Sequence, residues 1–213
     1  MVMGQSPSND AVAGLYAVFG DGPLGRALIG CECCSDPKRL HRLAETPVRH
    51  LPADDLQDYL YSAMSTVGDE EDFKHFLPRL FELAIQEPDS IEPELLGIKL
   101  SAARWKDWPD RHQSAVSAAL ETLWQDLFVK EYDEFAVDSI FCGLALARMD
   151  VVSRLQAWAS TSSSLAKVNF DRFKEHNRAS LKKKRRLANA FWDESPAQEV
   201  LVADWLRAAM GVS

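Results

Sequence analysis

From Pro52 to the C-terminus, apolar residues recur with a helical period. Leu56, Tyr59, Leu60, Ala63, Met64 and Val67 fall at i, i+3, i+4, i+7, i+8 and i+11, the single stripe of an amphipathic helix. Asp54 and Asp55 suit the positive end of that helix, and Gly68 supplies a stop. Phe73, Phe76, Leu77, Leu80, Phe81, Ala84 and Ile85 repeat the spacing, with Pro78 set to kink the helix or to start a new one. Pro93 opens a further helix through Leu95, Leu96, Leu100 and Ala103, and Pro109 opens a longer one carrying Val116, Leu120, Leu123 and Leu127. The pattern continues from Glu134 to Arg148, and Asp150 caps a short helix through Trp158. After the polar break "STSSS", a long helix is predicted from Leu165 to Trp192, and Pro196 opens the last.

No segment alternates with period 2 long enough to compete, so the predicted fold is all-α. Short turns between successive helices favour antiparallel pairs, and pairs of roughly 35 to 45 residues suit either a HEAT-like stack or a compact multi-helix bundle. Residues 1–51 are rich in Gly and Pro and carry one candidate helix, Asn9 to Phe19. They read as a segment packed on a single all-α domain spanning 52–213.

Composition narrows the functional classes. With 46% hydrophobic and 26% charged residues among 213, the chain has the balance of a folded globular protein. No apolar run approaches the ~18 residues of a membrane span, and "MVMGQSPSND" has no basic n-region, so neither membrane insertion nor a signal peptide is expected. A net charge of −8 argues against general nucleic-acid binding, because phosphate neutralisation needs a basic surface. The basic run "KKKRR", Lys182 to Arg186, reads as a solvated helix face. Four cysteines, three of them crowded, do not form a secreted disulfide framework, which points to the cytoplasm.

Two segments, "GCECC" (Gly30 to Cys34) and "YLYSAMSTVGDEEDFKHFLPRLFEL" (Tyr59 to Leu83), resemble an uncharacterised group of bacterial helical proteins. "TVGD" followed by "DFKHFLPRLFEL" carries most of the resemblance, which covers about a quarter of the chain. It implies a bacterial origin and helices, and it brings no activity and no catalytic residue with it.

The candidate chemistry is sparse. Cys31 and Cys34 have the C-x2-C spacing of a zinc hook, with His41 or His50 available as a third ligand and Cys142 as a fourth. A second hook is missing, so packing or turn cysteines are the favoured reading and stoichiometric zinc is not expected; if a metal is held, the expected ligands are Cys31, Cys34 and His41. A reactive thiol is the third alternative, because a helix opened by Asp36-Pro37 would lower a nearby thiol pKa. "GDGPLG", Gly20 to Gly25, matches G-x-G-x-x-G literally but lacks the strand and helix that a dinucleotide site needs. Asp72, His75 and Arg79 share one helical face, either as a structural polar network or as a partner-binding or acid–base face. Trp105 and Trp108 form either a binding patch or a corner plug. The expected function is a non-catalytic helical module that binds a protein partner, an immunity-type toxin inhibitor being one form. The alternatives are a metal-binding or thiol-dependent protein centred on Cys31, Cys33 and Cys34, an enzyme using Asp72 and His75, and a structural subunit of an assembly.

Overall fold

The computed structural model describes residues 7–87 and 90–211. Ten α-helices and three short 3-10 turns account for the regular structure among these residues, and no strand occurs. Packing divides the chain into two compact units, the first ending at Thr122 and the second beginning at Leu123.

The first unit holds α1 (Pro7–Phe19), α2 (Pro37–Glu45), α3 (Ala53–Ser62), α4 (Glu70–Gln86), α5 (Pro93–Ala102) and most of α6 (Asp110–Val129). Its centre is α4, whose Phe73, Phe76, Leu77, Leu80 and Phe81 are fully buried. Each such side chain contributes about 1.5–3 kcal/mol on leaving water. Helix α1 packs on one side of α4 and α3 on another, where the Tyr59 and Phe76 rings meet edge to face at 4.6 Å. Asp69 and Asp72 close a reciprocal capping box at the α4 N-terminus. Pro78 neither breaks nor restarts the helix; it lies buried inside α4.

Leu15, Leu28, Leu43, Val48 and Leu51 from the N-terminal segment are all buried, so that segment packs into the first unit's core. Two sequence expectations are corrected here. The stripe Leu56 to Val67 is not one helix: α3 stops at Ser62, and Met64 takes a left-handed conformation with φ +59°. The freed backbone is satisfied by tertiary partners, since the Lys99 ammonium donates to the Ala63 carbonyl at 2.7 Å and residues 66–68 pair with residues 29–31.

The second unit holds the last turns of α6, then α7 (Glu134–Leu146), α8 (Val151–Ala159), α9 (Ser164–Lys184) and α10 (Pro196–Met210). Asp133, Asp150 and Ser163 cap α7, α8 and α9 by accepting a backbone N–H with their side chains. The most extensive pairing is α7 on α9, while α8 contacts both α9 and α10. Trp124, Phe141, Trp158 and Phe173 form the aromatic core, with Trp158 and Phe173 stacked at 5.7 Å. Buried Asn177 joins three pieces of backbone and side chain: its amide donates to Asp138 at 2.7 Å and to the Phe173 carbonyl, and it accepts the Ala188 N–H at 2.8 Å.

The second correction is the end of α9. The predicted helix to Trp192 ends at Lys184, because Arg185 turns left-handed at φ +58°. Glu199 decides this: it accepts from the Arg186 guanidinium at 2.9 Å and from the Leu187 N–H at 3.2 Å, drawing the chain across α10. Arg186 also pairs with Asp193, while Lys182 to Arg185 are exposed.

Candidate thiol site and the polar face of α4

The sequence Ile29-Gly30-Cys31 runs beside Thr66-Val67-Gly68. The Cys31 N–H donates to the Thr66 carbonyl at 2.8 Å, and the Gly68 N–H donates to the Ile29 carbonyl at 2.8 Å. Gly30 is demanded by close approach: a Cβ there would lie 2.5 Å from Ser35 Oγ and 2.8 Å from Leu40 Cδ1. The chain then folds back sharply, with the N–H groups of Cys34 and Ser35 both donating to the Cys31 carbonyl. Asp36 caps α2 directly afterwards by accepting the Lys38 N–H. The turn is therefore tied at its entry by a β-bridge and at its exit by a helix cap.

This turn gathers the three thiols. Cys31 Sγ lies 3.0 Å from Cys33 Sγ, and Cys33 Sγ lies 3.4 Å from Cys34 Sγ. All three sulfurs are within 4.8 Å of one another, and none is in a disulfide. Cys33 and Cys34 are exposed and Cys31 is half-buried. Hydrogen bonds from Cys33, and then from Cys34, bring the Cys31 thiol down to about 7. The Cys34 thiol, as donor to Cys31 and Cys33, is pushed up to about 12. The hydrogen bonds within the cluster thus favour the thiolate on Cys31 over that on Cys34.

Of the expected ligand set Cys31, Cys34 and His41, the structure brings the two cysteines together and places His41 apart from them. Among the described residues the group able to hold a metal comprises Cys31, Cys33 and Cys34. His41 is carried by α2 to a different cleft of about 340 Å³, which it lines with Arg26, Leu28 and Pro37. His50 is exposed on the 3-10 turn Val48–His50, and Cys142 is buried in α7 of the second unit. Cys33 completes the group, and the crowding of C-x-C-C is its visible signal in the sequence. Cys34 also borders a cleft of about 330 Å³ whose walls include Arg39, Leu43, Tyr59 and Tyr61. The Tyr59 hydroxyl is buried without a hydrogen-bond partner, and burial followed by the Asp72 charge pushes its pKa well up.

Asp72, His75 and Arg79 share α4 but are not brought into one constellation. Asp72 is 1% exposed, accepts the Asp69 N–H, and pairs with the Arg26 guanidinium at 2.7 Å. Desolvation raises its pKa, against the pull of the Asp69 N–H and Arg26. Arg26 had no sequence signal, since it lies over forty positions away in the Gly/Pro segment. Arg79 donates from Nε to the Leu51 carbonyl at 3.1 Å and from a terminal nitrogen to Glu82 at 2.8 Å. Glu82 in turn accepts the Tyr16 hydroxyl at 2.6 Å, linking α1 to α4. His75 stands between these two clusters against the Phe76 ring, and burial, then Arg26, lower its pKa.

Trp105 and Trp108 are 1% and 5% exposed, so they plug a corner and offer no accessible aromatic patch. Arg104, left-handed at φ +48°, makes the corner, and Trp108 Nε1 donates to the Ala103 carbonyl at 3.0 Å. The stretch Gly20 to Gly25 is a surface turn held by backbone hydrogen bonds. Gly20 and Gly25 have positive φ, the Leu24 N–H donates to the Ala44 carbonyl, and the Val48 N–H donates to the Gly22 carbonyl. No helix among the described residues is long and apolar enough to cross a membrane.

No protein-family model, no curated protein and no solved structure matches this chain.

Proposed function

We propose that this chain is a binding protein whose functional centre is the Cys31–Cys34 turn, and that it holds a thiophilic ion through Cys31, Cys33 and Cys34. The carrying observation is the gathering of three free sulfurs within 4.8 Å on a turn braced at both ends. Thiolates select soft ions, and a preformed set loses little entropy when the ion arrives. Free thiols require a reducing compartment, which fits the cytoplasm. The helical body serves as the scaffold, and Asp72 and Arg79 act within it as structural groups. Titration of the reduced protein with Cd²⁺ tests the reading through the ultraviolet thiolate-to-metal absorption. A band saturating at one ion per chain, and missing from a variant with all three cysteines changed to serine, supports it. An absorption that is absent, or equal in the two proteins, rejects it.

A second reading, a non-catalytic module that docks a protein partner, draws on the second unit. Val129, Phe135, Val200 and Leu201 are each at least half exposed there. Val200→Asp and Leu201→Asp should then abolish partner cross-linking in cells while leaving helicity intact. Retained cross-linking would reject α10 as the docking face.

A further inference from the structure

We infer that the three-cysteine turn captures a trivalent Group 15 oxyacid, arsenite being the accessible example, as a pyramidal trithiolate. The inference rests on the thiol-ion reading above and adds the class of ion. Sulfur spacing is the first argument. A tetrahedral zinc about 2.3 Å from each thiolate sets its sulfurs about 3.8 Å apart. A three-coordinate pyramid of similar bond length, with angles of about 95°, sets them about 3.4 Å apart. Two of the three pairs here are at 3.0 and 3.4 Å, nearer the pyramidal spacing, and the third lies within 4.8 Å.

Coordination number is the second argument. Among the described residues, the sulfurs are joined by no histidine or carboxylate that would complete a tetrahedron, and a trivalent centre with a lone pair asks for three ligands only.

The reaction is a condensation without redox change. Three S–As bonds form and three As–O bonds break. Each thiol proton leaves with a hydroxide, so one As(OH)3 and three thiols give the adduct and three waters. Exposure of Cys33 and Cys34 admits the oxyacid, and the bridge from Cys31 to Thr66 holds the first sulfur in place.

The test uses the full chain reduced with a phosphine, titrated with sodium arsenite, and read by native mass spectrometry. The expected product gains one arsenic and loses three hydrogens. Cys33→Ser should retain a hydroxyl on arsenic, making its adduct one water heavier. It should also bind at least about tenfold more weakly, since one arm of a chelate is gone. Cys142→Ser should match the parent. A parallel Zn²⁺ titration against a chromophoric chelator separates the two levels of the argument. Tight stoichiometric zinc, with arsenite held by only two thiols, overturns the trivalent assignment and keeps the thiol-ion reading. If neither ion distinguishes the parent from the triple-serine variant, with both equally helical by circular dichroism, both readings fall.

Discussion

Arg79→Ala should destabilise the first unit by about 2–3 kcal/mol. The guanidinium makes two charge-assisted hydrogen bonds, to the Leu51 carbonyl and to Glu82. Arg79 and Glu82 side chains are 18% and 16% exposed, so solvent screens this pair less than an ordinary surface ion pair of about 0–1 kcal/mol. Alanine loses those bonds and leaves the carbonyl of fully buried Leu51 without its Arg79 donor, at a cost of about 1–3 kcal/mol. Glu82 keeps the Tyr16 hydroxyl, whose pKa burial and then Glu82 push up, so that it remains a donor. That contact limits the total. For a chain of this size each kcal/mol moves the melting temperature about 2–4 °C, so a fall of about 4–12 °C is expected. Thermal melts by circular dichroism measure it, and amide exchange along α4 assigns the loss to the first unit if the two units melt separately. A double-mutant cycle with Glu82→Gln should show coupling of about 1 kcal/mol. A melt of Arg79→Ala unchanged within about 0.5 kcal/mol would refute the clamp and leave Arg79 as a group held for a ligand.

His75 predicts a pH dependence. Its folded pKa lies below the ordinary value of about 6.5, so below that pH the unfolded chain takes up a proton that the native chain resists. Stability should fall as the pH drops below about 6.5, and His75→Gln should flatten that limb in urea titrations at pH 7 and 5. An identical acid limb in the variant would remove His75 as its source. Asn177→Ala should cost about 2–4 kcal/mol, since a buried amide bridging α7, α9 and the chain after α9 is lost. Denaturant melts showing less than about 0.5 kcal/mol would contradict the bridging role.

Helix existence was legible because burial of one stripe is a local, periodic demand. The capped starts at Asp133, Asp150 and Ser163, and the proline starts at Pro93 and Pro196, follow from side-chain chemistry within a few residues of each boundary. The thiol cluster was half legible. C-x-C-C announces crowding, but sulfurs i, i+2 and i+3 converge only when the backbone doubles back, and that turn is held by Thr66 and Asp36.

Two helix ends could not be read from the stripe. Apolar periodicity continues past Ser62 and past Lys184, and nothing within either segment forbids another turn of helix. Each end is decided by a distant group that bonds the backbone better than the next helical turn would: the Ile29–Cys31 segment and Lys99 for α3, Glu199 for α9. Likewise the spacing of Asp72, His75 and Arg79 suggested one polar face. Arg26, Leu51 and Tyr16, all remote in sequence, split it into a cap on one side and a clamp on the other. Periodicity reports which side of a segment faces the core. Where the chain leaves the helix, and which polar groups become partners, depends on long-range contacts formed only in the folded protein.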